Sequence, residues 1–274
     1  MGRSRAAAFK KIGIGSFEDL DTCNIGDVVA DLRALGHHTS PTQLEQLRLH
    51  IQSYREGRAI MFGPPPPVGD SYVALDLEYD LFNPRLWLIG LYLVDGGRRE
   101  QVALWAEDYS SERANLERMF ELLDERADLP IVTWGGISAD FPQLRSACKR
   151  LGVDGMLGIE DRHIDFFASI RKILRLPLPD FGLAEVAAFF GVAKRSSIGD
   201  GREAMMLFAR YLSTYSASKR RELKDELIAY NLDDLEALVE TQRAIQKLPI
   251  ENVGVAAPQS LPSLACTPSS QFFM

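Results

Sequence analysis

The sequence predicts an α/β fold in which a mixed sheet opens with three antiparallel strands, carries flanking helices and follows a small all-helical unit. Three observations support this prediction. The residues Tyr72–Asp80 alternate apolar and other side chains with the two-residue period of a strand. A near-continuous apolar run over 86–94 and a third strand over 100–105 are joined by a turn containing Gly96 and Gly97. After a helix and one more short strand, the chain over 140–248 is predicted to be almost wholly helical.

Length and composition suit one large domain, or a core domain with a small appendage. The chain has 274 residues, is 46% hydrophobic and carries a formal net charge of −7. No apolar run approaches the roughly 18–20 residues of a membrane span. Cys23, Cys148 and Cys266 have no metal-ligand or disulfide spacing, so a reducing, cytoplasmic location is expected. The negative charge argues against coating nucleic acid by bulk charge, but leaves room for an enzyme with locally placed basic residues.

A proline-rich connector divides the chain. We predict a small helical unit over 1–62, a semi-rigid linker over 63–70 and the α/β domain over 71–249. The segment 250–274, rich in Pro, Ser and Ala, is predicted to be a disordered tail.

The helical unit is predicted to contain helices after Ser16, over 25–35 and after Ser40. The turn over 10–16 resembles a helix-hairpin-helix, whose backbone amides can hold a phosphate. The alternative is that the glycines merely permit the turn. The short pattern and the acidic neighbourhood favour that alternative.

Two acids mark the first strand of the α/β domain. The strand period places Asp76 and Glu78 on the same side, about 7 Å apart along the chain. Adjacent carboxylates on a buried strand repel each other unless a cation lies between them. The alternative is a strand that runs out into a solvated surface turn.

Further acids follow later in the chain. Asp140 comes after the fourth strand and a glycine pair, where it would project over the sheet edge; the alternative is an ordinary helix cap. Tyr230 and Asp234 are four residues apart on one helix, so they share a face. Asp233 is predicted to face solvent, about 100° round the helix. The alternative is a simple surface pair, and only the three earlier acids count against it.

Together these residues resemble a known family. Asp76-x-Glu78, Asp140 and Tyr230-x-x-x-Asp234 resemble the three exonuclease motifs of the DEDD superfamily in its Tyr-containing (DEDDy) form, which has a ribonuclease-H-like fold. The stretches 133–144 and 163–165, with Tyr230-Asn231-x-x-Asp234, are similar to the YprB-like predicted exonuclease group. The resemblance covers about residues 72–245. The chain departs from that group at Gly135 and Ala139, where the group usually has Asn and Phe.

The resemblance implies a 3′–5′ exonuclease that releases nucleoside 5′-monophosphates from DNA or RNA. Asp76, Glu78, Asp140 and Asp234 would bind two divalent ions, one activating water and one stabilising the leaving 3′ oxygen. Oxygen ligands favour Mg²⁺ or Mn²⁺ over zinc. Tyr230, with an ordinary pKa near 10, would orient the water rather than act as the base.

Nucleic-acid contacts are predicted at Lys194 and Arg195, in a loop before the final helices, and at Gly136. Other basic pairs are interpreted as solvated helix caps. Phe181 is interpreted as a core residue or a surface that stacks a base. His163 is expected to satisfy a buried carbonyl, and Asp165 to cap a helix. Two other functions remain open: an endonuclease of the same fold acting on hybrids or branched DNA, and a catalytically silent nucleic-acid-binding module.

Overall fold

The computed structural model describes residues 3–80 and 84–253. The N-terminal unit consists of four helices, α1 (Arg3–Lys11), α2 (Phe17–Thr22), α3 (Ile25–Ala34) and α4 (Pro41–Glu56). Ser16 and Ser40 cap α2 and α4 through capping boxes, as their positions predicted. The apolar faces of these helices pack into a hydrophobic cluster of their own.

In the turn between α1 and α2, the backbone amides find their hydrogen-bond acceptor within the chain. The amides of Gly15 and Ser16 donate to Asp19 Oδ2 at 2.9 and 2.8 Å. This carboxylate takes the place that the helix-hairpin-helix interpretation gives to a phosphate. The turn therefore needs no ligand, in agreement with the alternative that its glycines only permit it.

The remaining elements follow in chain order. They are β1 (Ile60–Met61), β2 (Tyr72–Asp80), β3 (Arg85–Asp95), β4 (Arg98–Trp105), α5 (Tyr109–Asp124), β5 (Ile131–Thr133), α6 (Asp140–Leu151), α7 (Met156–Glu160), β6 (His163–Asp165), α8 (Phe166–Ile170), β7 (Leu174–Arg175), α9 (Leu183–Phe189), α10 (Gly201–Ser213) and α11 (Ala217–Gln246).

The main sheet has five strands in the order β4-β3-β2-β5-β6. β2, β3 and β4 are antiparallel neighbours, whereas β5 pairs in parallel with β2 and β6 with β5. Asp76 of β2 lies opposite Gly90 of β3. The predicted mixed sheet that opens with three antiparallel strands is confirmed.

The prediction of an almost wholly helical region over 140–248 is wrong at two places. His163–Asp165 forms β6, and Leu174–Arg175 forms β7, which pairs with Ile60–Met61 in a second, two-stranded sheet. Strands of two or three residues are too short to display a two-residue period, so the sequence pattern does not reveal them.

The two faces of the main sheet pack against different helices. The odd-numbered side chains of β2 contact α5 and α6, and the even-numbered ones contact α8 and α11. The odd set is Val73, Leu75 and Leu77, and the even set begins with Tyr72 and Ala74. Asp76 and Glu78 continue the even set, so both carboxylates face α11.

The beginning of the predicted tail contacts the N-terminal region. Ile250 forms a bridge with Met61, the amide of Glu251 donates to Met61 O at 2.7 Å, and the carboxylate of Glu251 pairs with Arg58. The rest of that tail, 254–274, lies outside the described residues. Within 3–80 and 84–253, none of the helices combines the length and the apolar character needed to cross a bilayer.

Candidate active site

The structure brings all five sequence-predicted catalytic residues to one pocket of about 310 Å³. They come from three elements: the end of β2, the first residue of α6 and the middle of α11. The five are Asp76, Glu78, Asp140, Tyr230 and Asp234. The expectation that Asp76 and Glu78 share a side is confirmed. Most of the surface turn invoked by the alternative, residues 81–83, lies outside the described residues.

Helix α11 reaches β2 because position 90 has no side chain. A Cβ at Gly90 would lie 1.9 Å from Asn231 Oδ1 and 2.7 Å from Leu235 Cδ1. Asn231 is fully buried, and its Nδ2 donates to Asp76 Oδ2 at 2.6 Å. Its Oδ1 has no hydrogen-bond partner among the described residues. This amide fixes the orientation of Asp76, a role that the sequence pattern does not assign to it.

Burial raises the pKa of every carboxyl group in the pocket, and the charges of nearby carboxylates add to this shift. For Asp76 the pKa is raised well above its usual range by burial, then by the charges of Asp140 and Asp234, against the hydrogen bond from Asn231. For Glu78 the pKa is likewise raised by burial and then by Asp76. Burial raises the pKa of Asp140 to about 7. The pocket therefore favours added positive charge.

The donor set fits divalent cations that prefer oxygen, because four carboxylates face one pocket and none of the described residues that line it carries a thiol or an imidazole. In 3–80 and 84–253, however, no three His, Cys, Asp or Glu side chains form a ready-made metal cage. A cation of the chain already lies in the pocket, because Lys194 Nζ is 3.1 Å from Asp234 Oδ1. Burial raises the pKa of Asp234, and this ammonium opposes the shift.

Tyr230 is placed to donate a hydrogen bond. It is 5% exposed, and its phenol lies near enough to the carboxylate of Asp234 to interact with it. Its pKa is raised above its usual value by burial, then by the charges of Glu78 and Asp234. The phenol keeps its proton at neutral pH, which agrees with an orienting role and disagrees with a basic one.

The prediction that Asp233 faces solvent is wrong. Asp233 is 7% exposed, and its Oδ2 accepts the amides of Arg195 and Ser196 at 2.7 and 2.9 Å. The loop before α10 covers this face of α11. The guanidinium of Arg195 pairs with Asp233 and Glu236. The charges of Lys194 and Arg195 are thus both engaged within the chain.

Asp165 organises the loop that leads to Asp140. Its Oδ1 accepts the amides of Gly135 and Ala168 at 3.1 and 2.9 Å, and its Oδ2 accepts that of Ile137 at 3.1 Å. The prediction that Asp165 caps a helix is confirmed, since Ala168 lies in α8. Asp140 itself makes no cap: Ala139 is the N-cap of α6 and has no side-chain bond. The helix-cap alternative for Asp140 is therefore wrong.

Gly136 has a structural role in the same loop. Its amide donates to Thr133 Oγ1 at 3.1 Å, and a Cβ at this position would lie 2.3 Å from that atom. Because this amide is already used, Gly136 has no free N–H to offer a phosphate. The same hydroxyl lies 2.8 Å from His163 Nε2, so the partner of His163 is a hydroxyl and not the expected carbonyl.

Sequence reasoning missed one basic residue of the pocket. Arg202, near the start of α10, lines it and has no ion-pair partner among the described residues. The only feature of the sequence that could have pointed to Arg202 is its position: it follows the N-cap Asp200 by two residues and lies a short distance along the chain from Lys194. Unlike Lys194 and Arg195, this arginine is free to contact a phosphate.

Comparison with known proteins gives a family and a fold. A family model described as the RNase_H superfamily matches residues 73–245, more than half of the chain. With the five-stranded mixed sheet, this match confirms the predicted ribonuclease-H-like fold. No curated protein matches the chain.

One similar solved structure is that of the family B DNA polymerase from the hyperthermophilic archaeon Pyrobaculum calidifontis. It is 16% identical, with a TM-score of 0.45, over 88% of this chain. The chain corresponds to 37% of the polymerase chain.

Proposed function

The chain belongs to the RNase_H superfamily, and on this premise we propose that it is a metal-dependent 3′–5′ exonuclease that releases nucleoside 5′-monophosphates. Membership supports a nucleic-acid hydrolase at the general level. The observation that carries the finer proposal is the convergence of Asp76, Glu78, Asp140 and Asp234 with Tyr230 on one pocket. Bound cations would offset the repulsion between these carboxylates.

The four carboxylates would hold two Mg²⁺ or Mn²⁺ ions. When bound, the ions supply Lewis acidity to the attacking water and to the leaving 3′ oxygen. Asp76 lies where Asn231 fixes one of its oxygens, so it can present the other in a constant direction. Asp140 has a pKa of about 7, so near neutral pH it would release any proton it holds when the ions bind.

The chain's own donors complete the proposed chemistry. The phenol of Tyr230 stays protonated and would orient the attacking water by a hydrogen bond. Lys194 would move from Asp234 to the substrate phosphate as the ions bind, because both cannot neutralise the same carboxylate. Arg202 would contact a phosphate at the pocket edge.

A module that binds nucleic acid without cleaving it is the second candidate, and the Lys194–Asp234 pair is the observation that favours it. In that case the ammonium would permanently take the place of a divalent ion. Such a protein would bind nucleic acid but show no turnover when Mn²⁺ is added.

The test is a Mn²⁺ assay on 5′-labelled single-stranded DNA and RNA, with Asp234→Asn as the inactive variant. Asp128→Asn, an exposed acid away from the pocket, is the matched control. We expect a ladder of 3′-shortened products that Asp234→Asn abolishes and Asp128→Asn retains. Cleavage of a circular strand would indicate an endonuclease, and equal activity of Asp234→Asn would refute the assignment of the site.

A further inference from the structure

A second pocket, of about 490 Å³, lies between the N-terminal helical unit and the α/β domain. Residues of α1 and α4 line one side, and residues of α8 and the segments following it line the other. It shares no lining residue with the carboxylate pocket. Its size is within the range of sites for small organic ligands, roughly 300–1,000 Å³.

The lining of this pocket is positively charged. It includes Arg5, Arg171 and Arg175, and none of the described residues of the lining is Asp or Glu. None of the three arginines has a carboxylate partner in the described parts of the chain. In a protein of net charge −7, three cations without acids around one cavity indicate a site for an anion.

Arg175 shows this most clearly. It is 9% exposed, and among the described residues its guanidinium donates to no group other than the backbone carbonyls of Gln46, Arg171 and Leu174. Burial and the neighbouring Arg171 lower its pKa to about 10. A buried charge without a counter-ion is costly, and an anion in the pocket would offset that cost. The hydroxyl of Thr39, another lining residue, is buried with no hydrogen-bond partner among the described residues.

The same pocket offers aromatic surface. The half-buried rings of Phe167 and Phe181 line it, and the guanidinium of Arg171 lies 5.4 Å from the centre of the Phe167 ring. Aromatic side chains beside arginines bind nucleobases by stacking while the cations hold the phosphate. A simple inorganic anion would use the arginines but not the aromatic part of the lining.

We propose that this pocket binds one nucleotide unit, with its phosphate at the arginines and its base against the phenylalanines. The unit is either a free nucleoside 5′-monophosphate or one residue of a nucleic-acid strand. The site goes beyond the proposed catalytic function, because it uses none of the carboxylates. It is also close to the active-site loop: Trp134, which precedes Gly135, donates to Phe181 O at 3.1 Å and contacts Phe167.

The test measures binding of adenosine 5′-monophosphate to the full chain by calorimetry in EDTA, so that it does not depend on ions or catalysis. Arg171→Gln removes an exposed guanidinium, and Lys172→Gln removes the neighbouring charge outside the pocket. We expect Arg171→Gln to weaken binding at least about tenfold, and Lys172→Gln and Asp76→Asn to leave it unchanged. Phe181→Leu should weaken binding of the nucleotide but not of inorganic phosphate.

A 5′-phosphorylated oligonucleotide distinguishes the two sources of the ligand. Competition with the mononucleotide assigns the site to a strand, and lack of competition assigns it to the free nucleotide. No binding of adenosine 5′-monophosphate, or equal binding by Arg171→Gln, would overturn the proposal. If the protein shortens DNA but does not bind adenosine 5′-monophosphate, only the nucleotide-site proposal is refuted. If it binds adenosine 5′-monophosphate but shows no nuclease turnover, only the exonuclease proposal is refuted.

Discussion

Lys194 and Asp234 form an ion pair inside the carboxylate pocket, with Nζ 3.1 Å from Oδ1 and 4.4 Å from the centre of the Tyr230 ring. The two side chains are 23% and 18% exposed, so solvent screens the pair only in part. The ammonium and a divalent ion would compete for the same carboxylate.

Lys194→Gln should therefore tighten the binding of Mn²⁺. We expect the half-saturating concentration in the nuclease assay to fall about threefold to tenfold, while KM for nucleic acid rises because a phosphate contact is lost. Lys219→Gln, which removes an exposed partner of Glu222, is the matched control. An unchanged Mn²⁺ titration for Lys194→Gln would show that the two cations do not compete.

Gly90→Ala should disturb the contact that orients Asp76. The new methyl group would overlap Asn231 Oδ1, so α11 must shift away from β3. We expect a loss of about 1–3 kcal/mol in unfolding free energy, as for other overpacked positions, and reduced activity. Urea unfolding measures the first effect.

Gly158→Ala provides the comparison for Gly90→Ala. Gly158 lies in α7, and apart from adjoining residues of the same helix no atom is within 4 Å of the place that an alanine methyl group would occupy, so alanine there should be neutral or slightly stabilising. Equal stability of both variants would contradict the close approach of α11.

Asp165→Ala should weaken the loop before Asp140. The carboxylate accepts three amides, from Gly135, Ile137 and Ala168, and its removal leaves them without that partner. We expect a loss of about 1–3 kcal/mol and a lower kcat. Asp165→Asn, which keeps one acceptor oxygen, should lose less of both. Asp180→Ala, which removes an acceptor in an exposed loop, is the control; a kcat of Asp165→Ala equal to the control's would exclude a positioning role.

His163 should make stability depend on pH. Burial lowers its pKa to about 4 in the folded chain, against about 6.5 when unfolded. Because the unfolded state binds the proton more readily, this contribution is complete above pH about 6.5 and is lost as the pH falls towards about 4. The loss reaches about 3 kcal/mol at most.

Urea unfolding at several pH values tests this, with His163→Gln as the variant that does not titrate. Gln retains a group that can bond to Thr133. The variant should show a smaller loss of stability between neutral and acid pH than the parent. Parallel pH profiles would contradict the assignment of His163 as neutral in the folded state.

The sequence predicted what regular periodicity can express. The alternation along β2 places Asp76 and Glu78 on one side, and the four-residue spacing of Tyr230 and Asp234 places them on one face of α11. Each pattern lies within one short segment, so it can be recognised without knowledge of the fold. That these four residues lie together could be predicted only from the resemblance to the exonuclease family, because no local pattern relates β2 to α11.

Contacts between distant segments were not predictable in this way. The helix period alone puts Asp233 towards solvent, but the loop containing Arg195 and Ser196 covers it. The role of Asn231 depends on Gly90 lying opposite Asp76 in the neighbouring strand. Likewise the buried charge of Arg175 arises only when β7 meets the helical unit.

The most direct test of the central claim is a calorimetric titration of Mn²⁺ into the full chain, with Asp76→Asn and the surface control Asp128→Asn measured beside it. If the four carboxylates jointly hold the ions, the parent and Asp128→Asn will bind two Mn²⁺, and Asp76→Asn will lose at least one with a marked loss of affinity. Equal Mn²⁺ binding by Asp76→Asn and the parent, or no binding by either, would contradict the account.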